Sequence, residues 1–193
     1  MSSPETIIRT KEPIRPLKRV EYDELGRLGY FDDEKVELLF GMVVEMSPID
    51  RAHIVSGYRI RRALERGLGE RAMVLEGSPF AASEISEPQP DVLVTAPGAH
   101  EWKAHADRAF LVVEVSRSSL AKDTGPKAVL YGLAEVDEYW IVDHVNAVVE
   151  VYRDRHEGSW RTKSTYLRGA TIALAAFPDV TIEVAEILPP AEI

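Results

Sequence analysis

The stretch AFLVVEVSRSSLAKDTGPKAVLY, residues 109 to 131, decides how the fold is read. It opens as an apolar strand, FLVVEVS, of the kind expected wholly inside a sheet. A helix is expected after it: Asp123 or Thr124 can cap it, Pro126 fits its first turn, and Ala128, Val129, Leu130, Leu133 and Ala134 favour it. Glu114 interrupts the strand between Val113 and Val115. Burying a charge without a partner costs several kcal/mol, so Glu114 needs a cation, a hydrogen-bond network or a raised pKa. The alternative is a glutamate on a solvated sheet face, and the same-face neighbours Val112 and Ser116 leave both readings open.

Upstream, SPFAASEISEPQPDVLV is a proline-punctuated approach to a short apolar strand beginning near Asp91, preceded by AMVLEG. From His53 to Leu68 the spacing is helical, with His53, Gly57, Ile60, Leu64 and Leu68 on one face and Arg59, Arg62 and Arg66 on another. VELLFGMVVEM carries a hairpin signal at Phe40-Gly41, and a short helix is expected over Tyr22 to Leu28. Residues 96 to 108 read as a polar loop. Downstream, EYWIVD and AVVEVYRD form two strands around the turn HVN, and TKSTYL, TIALAA and VTIEVAEIL predict further strands. Several strands with two main helices predict an α/β sandwich, a mixed central sheet flanked by helices.

The 193 residues, 45% of them hydrophobic, suffice for one core, so one domain is expected over 20–193 behind an N-terminal tail or arm of residues 1–19. That tail has no apolar run, so neither a leader nor a membrane partner is expected. The absence of cysteine rules out thiolate chemistry and disulfides and fits a reducing, cytoplasmic setting. A net charge of −9 argues against binding nucleic acid through bulk charge, although local basic clusters can still meet phosphate. No Walker loop, dinucleotide fingerprint, HExxH pair or GxSxG elbow is present, which weakens the kinase, dehydrogenase, zinc-protease and esterase readings.

Three residues point to chemistry. Asp91 follows Pro90 at a strand start, where its carboxylate can project from the sheet end, though Pro-Asp is also ordinary turn chemistry. Lys127 lies near an expected helix N-terminus, which disfavours a lysine unless an anion is close; a solvated helix lysine is the plainer alternative. Two carboxylates from neighbouring strands can hold Mg²⁺ or Mn²⁺, whose remaining positions take water and phosphate, while an ammonium stabilises developing charge. That is the chemistry of phosphodiester hydrolysis.

The segments PDVLV, FLVVEVS and KDTGPKAVLYGLAEVDEYWIVD resemble the core of the Uma-two family of restriction endonucleases, within the PD-(D/E)XK nuclease superfamily, and VELLFGMVVEMSP followed by His53 is similar to its N-terminal block. The resemblance spans roughly residues 20 to 153. It implies a restriction-endonuclease-like fold with additional N- and C-terminal strands, with Asp91 and Glu114 as metal ligands and Mg²⁺ (or Mn²⁺) as cofactor. The expected partner is nucleic acid, DNA in first place, and a homodimer is plausible from the family and from duplex symmetry. The superfamily pattern places a lysine two residues after the glutamate, where this chain has Ser116. The resemblance therefore moves that role to Lys127, with Lys122 as competitor.

Glu37 aligns with an acidic residue of the family's N-terminal block, so it is either a further carboxylate of the site or an exposed strand residue. His53 is read as a core histidine or an outer support for the metal ligands. Tyr131, one helical turn after Lys127, borders the cleft or packs. Arg59, Arg62 and Arg66, and Arg153, Arg155, Arg161 and Lys163, are candidates for tracking a nucleic-acid backbone, diluted by Glu65, Glu70 and Glu157. Tyr139 and Trp140 are expected in the core. The rival to an endonuclease is an inactive nuclease-fold binding or interaction module.

Overall fold

The computed structural model describes residues 14–98 and 105–190. Residues 1–13 of the expected N-terminal arm, and 99–104 of the expected polar loop, lie outside the described residues. Helix α1 (Arg19–Arg27) leads into a hairpin of β1 (Val36–Leu39) and β2 (Met42–Glu45). Its two turn residues both have positive φ, Phe40 at 51° and Gly41 at 76°, which matches the right-handed strand twist of a primed turn. Pro16 lies so close that a Cβ on Gly41 would stand 2.2 Å from the Pro16 Cβ.

Helix α2 (Arg51–Leu68) starts where Asp50 accepts the His53 N–H at 2.8 Å, and it buries Ile60, Ala63, Leu64 and Leu68. Six strands then form one sheet in the order β3-β4-β5-β6-β7-β8: β3 (Met73–Glu76), β4 (Val92–Thr95), β5 (Leu111–Ser116), β6 (Tyr139–Asp143), β7 (Val148–His156) and β8 (Ser159–Leu167). β5 and β6 run parallel, and every other neighbouring pair is antiparallel. A parallel pair needs a crossover, here α3 (Leu120–Lys122), a segment kinked at Gly125 over Asp123–Lys127, and α4 (Ala128–Leu133).

Alternation divides β5 between two cores. Val113 and Val115 pack with Trp140, α2 and the C-terminal elements β9 (Thr171–Ala173), β10 (Thr181–Glu183) and α5 (Val184–Ile187). Val112 faces the other way, with Tyr139, Ile141, Phe80 and the crossover residues Ala128, Leu130 and Tyr131. The mixed sheet between helical layers is the expected sandwich, and Tyr139 and Trp140 are fully buried as expected.

Two local expectations are corrected and one stands. The crossover helix begins at Leu120 rather than at a cap on Asp123 or Thr124; Asp123 lies inside it, accepting the Ser119 hydroxyl at 2.6 Å, and the Thr124 hydroxyl donates to the Leu120 carbonyl. Pro126 opens the second helical segment directly after a kink at Gly125 (φ −102°, ψ −105°), so it stands in a first turn as expected, where a residue without an N–H leaves no bond unmade. Of VTIEVAEIL only Thr181–Glu183 is strand, and the chain then turns into α5, where Val184 and Ile187 reach the core at helical spacing.

Candidate active site

The face of β5 that carries Val112 also carries Glu114, only 4% exposed, and the crossover passes over it. Lys127 at the end of the kinked segment donates to Glu114 Oε1 at 2.9 Å, and Tyr131, one turn along α4, donates to the same oxygen at 2.6 Å. Lys127 Nζ also stands 3.0 Å from Glu37 Oε2. Glu37 comes from β1, is 1% exposed, and takes Lys122 Nζ on its other oxygen at 2.8 Å. The buried carboxylate of β5 thus belongs to a chain of alternating charge, Glu114–Lys127–Glu37–Lys122. Ser116, at the position two residues beyond Glu114, is fully buried and carries no charge into the site.

Asp91 precedes β4 and closes the site from the side. Its Oδ2 accepts the Val115 N–H at 2.6 Å, and its Oδ1 pairs with His53 Nε2 at 2.7 Å. His53, expected as a core histidine or as an outer support for the metal ligands, thus stands directly against the Asp91 carboxylate. Helix α2 delivers it through the Asp50 cap, which Arg117 also engages.

Burial dominates the electrostatics. It pushes the Glu114 carboxyl up to about 8 against the pull of Lys127, and the fields of Asp91, Asp123 and Glu37 add to the rise. Burial acts on Glu37 too, but Lys127 and Lys122 hold it below the ordinary carboxylate range. For Lys127 burial opposes the charge, yet Glu114 and Glu37 hold the ammonium above the usual lysine value. Burial likewise opposes a charged His53, and the bond to Asp91 raises it nonetheless. Lys127 is therefore a fixed cation, and Glu114 takes up a proton more readily than a free carboxyl.

Glu37, Asp91, Glu114, Asp123, Lys122 and Lys127 line one cavity of about 30 Å³, with His53 at its wall. That volume takes a water or two, or one ion. Four carboxylates against two ammoniums leave an excess of negative charge, and hard oxygen donors from Asp91 and Glu114 suit Mg²⁺ or Mn²⁺, which need only one or two carboxylates and complete their shells with water. Among the described residues no cluster of three or more histidine, aspartate or glutamate side chains has the geometry of a ready-made metal cage. The donor set fits a hydrated ion on two carboxylates.

The structure brings Glu37, His53, Asp91, Glu114, Lys122, Lys127 and Tyr131 together. It does not bring the arginines to the cavity. Arg66 is paired with Glu186 at 2.8 Å, Arg153 with Glu138, Arg155 with Asp137 and Lys163 with Glu150, so most of the expected basic face is neutralised internally. Arg59 is half-buried and Arg62 exposed on α2. Sequence reasoning missed Asp123 as a site wall, only 1% exposed and raised by burial against the Ser119 bond. It also missed the Ser56–His144 bond of 2.8 Å. Apolar neighbours on both sides of SLAKDTGPKAVL were the available sign that Asp123 faces inward.

Among curated proteins no significant match to the chain exists. A crystal structure of a "putative nuclease belonging to DUF820" from Anabaena variabilis has a similar fold, with a TM-score of 0.69 at 12% identity, covering 89% of this chain and 97% of that one. The family model described as "Uma2: Putative restriction endonuclease" matches residues 20–185, which contain every strand of the central sheet and all seven residues gathered at the site. The chain belongs to the Uma2 family.

Proposed function

We propose that the chain is a metal-dependent endonuclease that hydrolyses phosphodiester bonds in DNA, with Asp91 and Glu114 holding Mg²⁺ or Mn²⁺. The observation that carries this reading is the cavity itself: four carboxylates and two ammoniums around a space the size of one ion. The ion, when bound, polarises the scissile phosphate and acidifies the attacking water. Asp91 is held for that task by the Val115 N–H and by His53, so its carboxylate cannot turn away from the cavity. Lys127 stays protonated, so it serves as a donor and a positive charge beside the phosphate oxygens rather than as a base. Tyr131 and Lys127 both bind Glu114 Oε1, which fixes the rotamer and aims Oε2 away from them. Glu37 keeps Lys127 in place from the opposite side. A homodimer would place two such sites symmetrically on a duplex.

One observation favours a second reading, an inactive binding module: Lys127 spends its contacts on two internal acids. Cleavage of supercoiled plasmid, linear duplex, single-stranded DNA and RNA with Mg²⁺ or Mn²⁺ decides between them, with folded Asp91→Asn and Glu114→Gln proteins in parallel. Cutting of DNA by the native protein and by neither variant is expected. Cutting by both variants overturns the site assignment, and no cutting together with no Mn²⁺ binding dependent on Asp91 and Glu114 supports the binding module.

A further inference from the structure

Strand β1 separates the candidate active site from a second cavity, for Glu37 lines the first and its neighbour Val36 lines the second. This cavity has a volume of about 460 Å³, within the range of small-molecule sites. Asp23, Asp32, Glu34 and Glu87 give it an acidic wall, and Tyr22 and Phe31, stacked at 5.3 Å between ring centroids, give it an aromatic one.

Acidic side chains at a surface need no ligand, but Glu87 is not at the surface. It is 5% exposed, and its backbone is bonded in both directions to Leu38 of β1, which pins its main chain against the strand. Its Oε2 is buried with no hydrogen-bond partner among the described residues. Among the described residues two cations stand at ion-pair rather than hydrogen-bond distance, Arg19 NH1 at 3.7 Å from Oε2 and His105 Nε2 at 3.8 Å from Oε1, and Arg19 Nε is likewise buried without a hydrogen-bond partner. A buried acceptor left without a donor costs about 1–3 kcal/mol, and natural structures keep such a group where something else satisfies it. Burial, with Asp23 beside it, also pushes the Glu87 carboxyl up to about 7 against the pull of Arg19.

The missing partner must donate hydrogen bonds and carry positive charge. A bare divalent ion suits the wall poorly, since among the described residues no three acidic or histidine side chains there converge as ligands. The aromatic pair instead offers apolar surface for a hydrocarbon stem and ring faces for a cation. The Tyr22 hydroxyl is already spent on the Val36 carbonyl at 2.9 Å, which leaves its ring as the available surface. We propose that this cavity binds a small organic cation of the amine or guanidine class, its charged head against Glu87 and Asp23 and its stem along Tyr22 and Phe31. The proposal is independent of phosphodiester hydrolysis.

Agmatine, which carries a guanidinium and an ammonium on one alkyl chain, is the probe, titrated into the full chain by calorimetry with butanol as the uncharged control. Saturable one-site binding is expected, unchanged in Asp91→Asn and weakened about tenfold or more in Glu87→Gln and in Asp23→Asn, since each removes a charge-assisted contact. Asp23 is exposed, so its variant keeps the test open if Glu87→Gln fails to fold. Binding that ignores both substitutions, or no binding at millimolar agmatine, overturns the proposal. Displacement of agmatine by stoichiometric Mg²⁺, beyond the effect of matched NaCl, overturns it in favour of a metal site.

Discussion

Replacing Lys127 by methionine removes one ammonium from between two buried carboxylates and leaves the volume nearly unchanged. The contacts are 2.9 Å to Glu114 and 3.0 Å to Glu37, with Lys127 itself 3% exposed. At an effective dielectric near 20, each attraction at about 3 Å is worth roughly 5–6 kcal/mol before desolvation, and the desolvation of three ions consumes most of that sum. What the substitution exposes is the cost of facing acids without a counter-ion, about 3–5 kcal/mol for a buried pair that loses one partner. Proton uptake by Glu114 caps the loss. For a domain of this size, that corresponds to a drop in Tm of roughly 6–20 °C. Thermal unfolding followed by circular dichroism at fixed pH should show it, and the loss should be insensitive to added NaCl because the pair is buried. Glu114→Gln in the same background should recover part of the stability, giving a coupling of about 2 kcal/mol in the double-mutant cycle. A loss below about 1 kcal/mol, or strict additivity, would refute the reasoning that Lys127 is the counter-charge of Glu114.

Tyr131→Phe deletes the 2.6 Å donor to Glu114 Oε1 and should cost about 1–3 kcal/mol in urea unfolding, with the m-value unchanged. Gly41→Ala should destabilise by about 2 kcal/mol or more, because φ is 76° and the new Cβ meets Pro16 at 2.2 Å; the urea midpoint measures it, and an unchanged midpoint would contradict the turn geometry. Glu87, raised from 4.5 to about 7, holds a proton in the folded chain between those values that the unfolded chain has released. Stability from this group is complete below pH 4.5 and lost as pH rises through 7, so native protein should lose about 1–3 kcal/mol across that window relative to Glu87→Gln. A flat difference between the two proteins would remove Glu87 as the source.

The buried strand FLVVEVS, the turn at Phe40-Gly41 and the helical face of Ile60, Leu64 and Leu68 were legible because each rests on a local rule: apolar run, turn chemistry, period. Glu114 was legible as a conflict, an acid where burial forbids one. Its resolution was not, since the cations come from residues that only the closed fold brings near, and Glu37 reaches Lys122 across 85 positions of chain. The kink at Gly125 escaped sequence reading: the helix start at Pro126 is there, but a further helical turn precedes it, and Leu120 and Ala128 on either side of the kink both pack against the sheet. The short α5 was hidden for a related reason, as VTIEVAEIL alternates well enough for a strand until Val184 and Ile187 are placed in the core. Glu138, read merely as part of a strand-like segment, turned out to bind the Trp140 indole, Arg153 and the Ala175 N–H, a hub between the sheet and the β9 region.

The parallel pairing of β5 with β6 has a consequence for the placing of charge. A chain that must return to the same end of the sheet has to travel over the face of β5, whatever residues it uses to do so. A lysine on that return path can come down onto Glu114, as Lys127 does from 13 positions away, while Lys122 on the same path meets Glu37. Strand and crossover both pass beside Glu114, so the sheet itself is indifferent to which of them lodges the positive charge; in this chain the crossover does, and the strand position two residues on is left to the buried Ser116.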